Sequence, residues 1–203
     1  MANPFTNNQA SPRAIYEQKY TASRMNLLLV VVFTAINLVL LVTNSDSYFL
    51  FSAFIPYYMA SMGMLMCGLF PEEFYTGELS GMAFLDPSVF YVLLVIAAVL
   101  TLLYVVAWFF SNKHRVGWLI FILVFFCLDT AGMLFITGIS LESIIDILFH
   151  AWVIYYLVSG IVAHYKLKGL PPEEEPILVY EGDAAIEATK DIATDNNDTA
   201  DMQ

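Results

Sequence analysis

The stretch SVFYVLLVIAAVLTLLYVVAWFF, residues 88–110, runs from one polar flank to the other without a single charge. A bilayer-crossing helix needs about 20 mostly apolar residues. Lipid offers no partner for an unpaired N–H or C=O, so such a run reads as a helix and not as an open strand. On its N-terminal side Asp86-Pro87-Ser88 is a start signal, with Pro placed where a first-turn donor is not needed. On its C-terminal side residues 111–115 make a short basic turn into a second apolar run, 116–136. Residues 138–142 form another short turn, and Ser140, Glu142 and Ser143 can cap the run 143–165. Upstream, residues 71–87 are an acidic loop. Before it lies the run 48–70, broken by Pro56. The polar turn Asn44-Ser45-Asp46-Ser47 separates that run from the first one, 25–43.

The chain is 59% hydrophobic and 13% charged, whereas soluble domains are roughly 45–50% apolar and about 25% charged. This excludes an ordinary soluble globule. The expected fold is all-α, an integral membrane bundle of five transmembrane helices with a disordered acidic tail. Residues 1–24 form a polar N-terminal segment, with a short interfacial helix over 11–24 (SPRAIYEQKYTASR). Residues 25–168 form the bundle and 169–203 the tail. The tail is too acidic and too poor in apolar residues to bury a core. Most of the net charge of −11 sits in it: from Pro171 onward there are ten acids and one base, Lys190. No basic surface fits a nucleic acid. No short apolar region followed by a small-residue cleavage site is visible, so the first apolar run is expected to remain in the mature protein.

Lys and Arg in short loops mark the cytoplasmic side. The turn with Lys113 and Arg115 and the segment with Lys166 and Lys168 agree with each other and place the tail in the cytoplasm. Arg13, Lys19 and Arg24 disagree with them if all five runs cross. If residues 48–70 dip in and return, all seven bases share one side. The expectation is five membrane helices and a cytoplasmic tail in the cell membrane, with the side of the N-terminus open.

Ionisable groups inside the apolar runs are expensive and need a reason. They cluster late in the chain. Glu142, Asp146 and His150 recur every four residues and share one helical stripe. A short turn makes the last two helices antiparallel, and positions at equal depth then sum to about 280, which sets Asp129 level with His150. An acid–imidazole track from Glu142 through Asp146 and His150 to Asp129 is the candidate site. It serves either a proton or cation pathway or a structural clamp between helices. Thr130 or Thr137 is a candidate partner for Asp146. Asn37 and Thr34 on the first helix are candidate polar partners of the site.

Other features carry less. Met59, Met62, Met64, Met66 and Cys67 would suit Cu(I), but Met is also a flexible apolar filler beside Ala60, Ser61 and Gly63. No cofactor or metal is assigned. Ser159-Gly160 lacks a preceding glycine for a serine site, no GxGD accompanies Asp129, and no phosphate-cradling glycine loop occurs. No enzymatic activity is expected. The partners are the lipid bilayer and either further copies of the chain or another membrane subunit. In a second reading the protein is an accessory or scaffold subunit whose acidic tail binds a partner.

The segments NKHRVGWLI (112–120), LDTAGMLFITGISLESIIDILFHAWV (128–153) and YKLK (165–168) resemble a group of small bacterial multi-pass membrane proteins with no established activity. The resemblance spans about residues 20–168. It implies an inner-membrane helical bundle and assigns no catalytic residue.

Overall fold

The computed structural model describes residues 11–45, 47–140 and 143–171. Glu142, one of the candidate site residues, and nearly all of the acidic tail lie outside the described residues. The chain divides into Met1–Leu170 and Pro171–Gln203, and the helical bundle belongs to the first of these units.

The described residues form helices and turns: α1 Pro12–Val42, α2 Phe54–Met66, α3 Pro87–Phe110, α4 Val116–Thr137 and α5 Ile144–Lys168, with two short 3-10 turns between α2 and α3. Four of these, α1, α3, α4 and α5, are long and apolar enough to cross a membrane. Exposed Val95, Val99 and Leu102 on α3, Val124 and Leu128 on α4, and Leu148 on α5 give the bundle an apolar exterior suited to lipid.

α1 differs from the expectation at its start. The interfacial helix of residues 11–24 is not separate: one helix of 31 residues runs from Pro12 to Val42. Ser11 caps it by accepting the Ala14 N–H at 3.2 Å, and Pro12 occupies the first turn. No Gly or Pro follows until the helix ends, so nothing interrupts the hydrogen-bond ladder.

α2 differs more. Only 13 residues of the apolar run 48–70 are helical. At 1.5 Å per residue that is about 20 Å, short of a hydrocarbon core of about 30 Å. Residues 47–53 are not helical. Within them Phe51 has φ +69°, a left-handed conformation uncommon for a bulky residue, and there the chain reverses before entering α2.

The two ends of the bundle are chemically distinct. At one end the Tyr20 hydroxyl donates to the Ser111 carbonyl at 2.6 Å, and Arg24 Nε donates to Ser111 Oγ at 3.1 Å. Lys166 Nζ lies 5.3 Å from the centre of the Tyr16 ring. The N-terminal part of α1, the α3–α4 turn and the end of α5 therefore meet there, and all seven bases of residues 11–170 lie toward that end. At the other end Asn44 Nδ2 donates to the Leu69 carbonyl at 3.4 Å, and the Leu85 N–H donates to the Met66 carbonyl at 2.8 Å.

Two apolar cores fill the interior. Leu27, Val30, Tyr104, Phe126 and Leu157 join α1, α3, α4 and α5. Leu38, Ala60, Met64, Phe90 and Ala97 join α1, α2 and α3. α1 and α5 approach so closely that a Cβ on Gly160 would run into the fully buried Ser23. Small residues at such a crossing let backbones pack directly. Met64 and Cys67 are buried in the second core, and Cys67 Sγ donates to the Asp86 carbonyl at 3.4 Å.

Candidate functional site

The site is built around the start of α2. A helix leaves its first four backbone N–H groups without intrahelical partners, and here those groups lie inside the bundle. The Ala53 N–H donates to Thr34 Oγ1 at 2.8 Å. The Phe54 N–H donates to Asp129 Oδ2 at 2.9 Å, and the Ile55 N–H donates to Asp129 Oδ1 at 2.8 Å. The fourth position is Pro56, which has no N–H. Every orphan donor of α2 is accounted for, and two of them end on one carboxylate contributed by α4.

Asn37 secures the non-helical approach. Its Nδ2 donates to the Phe49 carbonyl at 2.6 Å and to Ser52 Oγ at 2.9 Å, and its Oδ1 accepts the Phe49 N–H at 2.8 Å. Thr34 and Asn37 are both fully buried and one turn apart on α1. Together they act as an artificial strand edge for residues 49–53. Neither reaches Asp129 or His150 by a hydrogen bond; both hold backbone.

Asp129 and His150 meet. His150 Nε2 lies 3.3 Å from Asp129 Oδ2, with both residues at least 95% buried. His150 Nδ1 is 2.8 Å from the main-chain carbonyl of Asp146. A carbonyl only accepts, so Nδ1 carries a hydrogen and Nε2 faces the carboxylate. A proton must then sit between Nε2 and Oδ2, because two lone pairs would repel. Two backbone donors at the N-terminus of α2 complete the contacts of the Asp129 carboxyl. The arrangement is thus a hydrogen-bonded imidazole–carboxyl pair sharing one proton, with the imidazole stacked on Phe126 at 5.0 Å and 15°.

The expected stripe is wired differently from the sequence reading. Asp146 contributes its backbone to His150, and among the described residues its side chain, half-buried in the first turn of α5, has no hydrogen bond. Thr130 and Thr137 do not hold it: their hydroxyls donate to Phe126 and Met133 carbonyls of their own helix, at 2.8 and 2.9 Å. Ser140 and Ser143 bond each other across the α4–α5 turn at 3.1 Å. Trp152 faces outward and donates from Nε1 to Asn26 Oδ1 at 3.2 Å. Among the described residues no group of three or more His, Cys, Asp or Glu is placed to hold a metal ion.

Sequence reasoning missed three participants. Tyr104 of α3 is fully buried, its hydroxyl has no partner among the described residues, and it is near enough to Asp129 to feel its charge. Ser52 joins Asn37 to the Tyr48 hydroxyl, at 2.9 and 3.0 Å. The amides of Phe54 and Ile55 are the third. Pro56 was the available signal: Pro is favoured in a helix's first turn, so it marks a start as readily as a break. On the far side of residues 47–48 a half-open cavity of about 310 Å³ is lined by Asn44, Ser45, Ser47, Tyr48, Tyr57 and Phe74, among others.

No protein-family model, curated protein or solved structure matches this chain.

Proposed function

We propose that the protein crosses the membrane four times, with residues 44–66 forming a re-entrant loop and half-helix, and that the Asp129–His150 pair is a proton-responsive latch on that half-helix. The carrying observation is that one carboxylate serves both His150 Nε2 and the first two amides of α2. Adding a proton to Asp129 removes both its charge and part of its accepting capacity, and the N-terminus of α2 loses its anchor. Protonation and the position of the re-entrant segment are then coupled. Among the described residues, Asp146 of α5, Tyr104 of α3 and Tyr48 of the loop are the other titratable groups whose fields reach this pair. Discontinuous helices with their N-termini in the membrane interior are how many transporters build ion and substrate sites. Proton- or cation-coupled transport, or proton sensing, is the function this geometry fits best. No catalysis is proposed.

Four crossings bring both termini and all seven bases to one side, which the distribution of Lys and Arg makes cytoplasmic. Cysteines substituted at Ser11, Ser45 and Ser80, in a chain with Cys67 and Cys127 replaced by Ala, test this. Ser11 should label from the cytoplasm, and Ser45 and Ser80 both from outside. Labelling of Ser45 and Ser80 from opposite sides, or of Ser11 from outside, removes the topology.

A second reading, an accessory or scaffold subunit, has its own support. Both ring nitrogens of His150 and both oxygens of Asp129 are engaged, and no chain of side-chain hydrogen bonds leads from Asp146 to His150 among the described residues. Folded yield and pH-dependent flux in liposomes separate the two for His150→Ala, Asp129→Asn and Asp146→Asn. Intact folding with an altered pH response supports the latch. Loss of folding alone, with no flux from the parent protein under any gradient, supports the scaffold.

A further inference from the structure

The rim opposite the bases holds a cavity that the latch does not use. It is half-open and about 310 Å³, at the small end of the roughly 300–1,000 Å³ usual for ligand pockets. That size suits a small molecule. Four aromatic rings line it: Tyr48 of the non-helical approach, Tyr57 of α2, and Phe70 and Phe74 beyond α2. Tyr48 and Tyr57 meet edge to face, with centres 4.9 Å apart and planes at 64°. Phe70 and Phe74 stack at 5.0 Å. These rings are tethered: the Tyr48 hydroxyl shares a hydrogen bond with Ser52 Oγ at 3.0 Å, and the Phe70 N–H donates to the Tyr75 hydroxyl at 3.1 Å. Ser61 also lines the cavity, one turn after Tyr57 on the same face of α2. Two hydroxyls therefore stand together on that wall.

Charge decides the class of ligand. Between Arg24 and Lys113 the chain has no Lys, Arg or His, and it carries Asp46, Glu72, Glu73, Glu78 and Asp86. Asp46 and the side chain of Glu78 lie outside the described residues, while Glu72, Glu73 and Asp86 are exposed. Glu72 and Glu73 stand between the lining residues Pro71 and Phe74. An anion meets like charge at this rim, whereas a cation is drawn to it. Among the described residues no carboxylate lines the cavity itself, so a hard metal ion would lack the oxygen ligands it needs. A primary ammonium would bring three N–H donors to walls that are largely ring. A quaternary ammonium has no donor to satisfy, and aromatic faces attract it through the ring quadrupole. Tyr57 and Ser61 can bond a hydroxyl on the same ligand.

We propose that this cavity binds a quaternary ammonium group. The group belongs either to a small soluble cation or to a lipid headgroup. Binding there requires no movement of the latch.

The test is saturable retention of radiolabelled choline by the full chain in phosphatidylglycerol nanodiscs, whose lipid carries no choline. Unlabelled tetramethylammonium should displace it, and glucose should not. The uncharged analogue of choline, with a tert-butyl group in place of the trimethylammonium, should compete about fivefold more weakly than choline or worse. Tyr57→Leu and Phe74→Leu should each weaken retention about fivefold. Phe109→Leu, which removes an exposed ring at the basic end, should leave it unchanged. Phe74 is exposed, so its variant carries the test if Tyr57→Leu folds poorly. Phosphatidylcholine nanodiscs separate the two sources: choline excluded there identifies a lipid headgroup, and choline still retained identifies a soluble cation. No saturable retention in phosphatidylglycerol, equal competition by the uncharged analogue, displacement by glucose, or the same affinity in Phe74→Leu as in the parent or in Phe109→Leu would each overturn the proposal.

Discussion

Asn37 and Phe49 exchange two hydrogen bonds: the side-chain amide donates to the Phe49 carbonyl at 2.6 Å and accepts the Phe49 N–H at 2.8 Å. One side chain thereby does for residue 49 what a neighbouring strand would do. In a membrane this matters more than in water, because a released backbone group has no solvent to turn to. Asn37→Leu keeps the volume and removes both bonds. It should cost about 2–4 kcal/mol, read by denaturant titration in detergent. A variant as stable as the parent would show that residues 49–52 are held by other means.

Asp129 should be the most sensitive polar residue in the bundle. Asp129→Ala strands two backbone amides and leaves His150 Nε2 without its carboxyl partner. Breaking a buried pair this way costs about 3–5 kcal/mol. Asp129→Asn should fall between, since an amide oxygen still accepts one N–H while its NH2 opposes the other donor. Hydrogen exchange gives the more specific reading. The Phe54 and Ile55 amides should lose protection in Asp129→Ala before the α3 amides do.

Gly160 should tolerate no side chain. A methyl there meets the Ser23 side chain, whose Cβ cannot rotate away, so α1 and α5 must separate. Gly160→Ala should destabilise by about 1–3 kcal/mol, the usual range for overpacking. Adding Ser23→Gly should recover most of the loss, and a double-mutant cycle measures that coupling. Additive effects would mean that the contact is not what limits residue 160.

Asp86 supplies an acid-side dependence at the start of α3. Hydrogen bonds from the Ser88 hydroxyl and then from its backbone N–H, the latter at 2.8 Å, hold the Asp86 carboxyl below its ordinary value of 3.8. A carboxyl lowered in the folded state stabilises above its unfolded pKa, and that contribution disappears as pH falls through the lower folded value. Amide protection in the first turn of α3 should therefore decline as pH falls below 3.8. Asp86→Asn keeps a capping side chain but should flatten that dependence. The same decline in both would assign it to another group.

Parts of the site were legible because they are local. The α4–α5 turn is short, so counting from its centre set Asp129 and His150 level, and their side chains lie 3.3 Å apart. Asn37 and Thr34 stood out as polar residues in an apolar helix, but what they bind did not. Their partners are backbone groups of a segment with no distinctive composition. Asp146 looked like a member of the track from its spacing alone. Spacing fixes which face a side chain leaves, not whether its carboxylate or its carbonyl meets the neighbour.

By itself the sequence determined the class of protein. Long charge-free runs are membrane helices wherever they occur, because lipid leaves the backbone no other way to satisfy its hydrogen bonds. It also marked the few ionisable positions that needed explanation. Only the tertiary structure decided where the apolar run 48–70 becomes helical. Its first two amides end on a carboxylate 75 and 74 residues away, and the preceding one on Thr34, 19 residues before it. Helix periodicity is a local signal, whereas those caps exist only once α1, α2 and α4 are packed together.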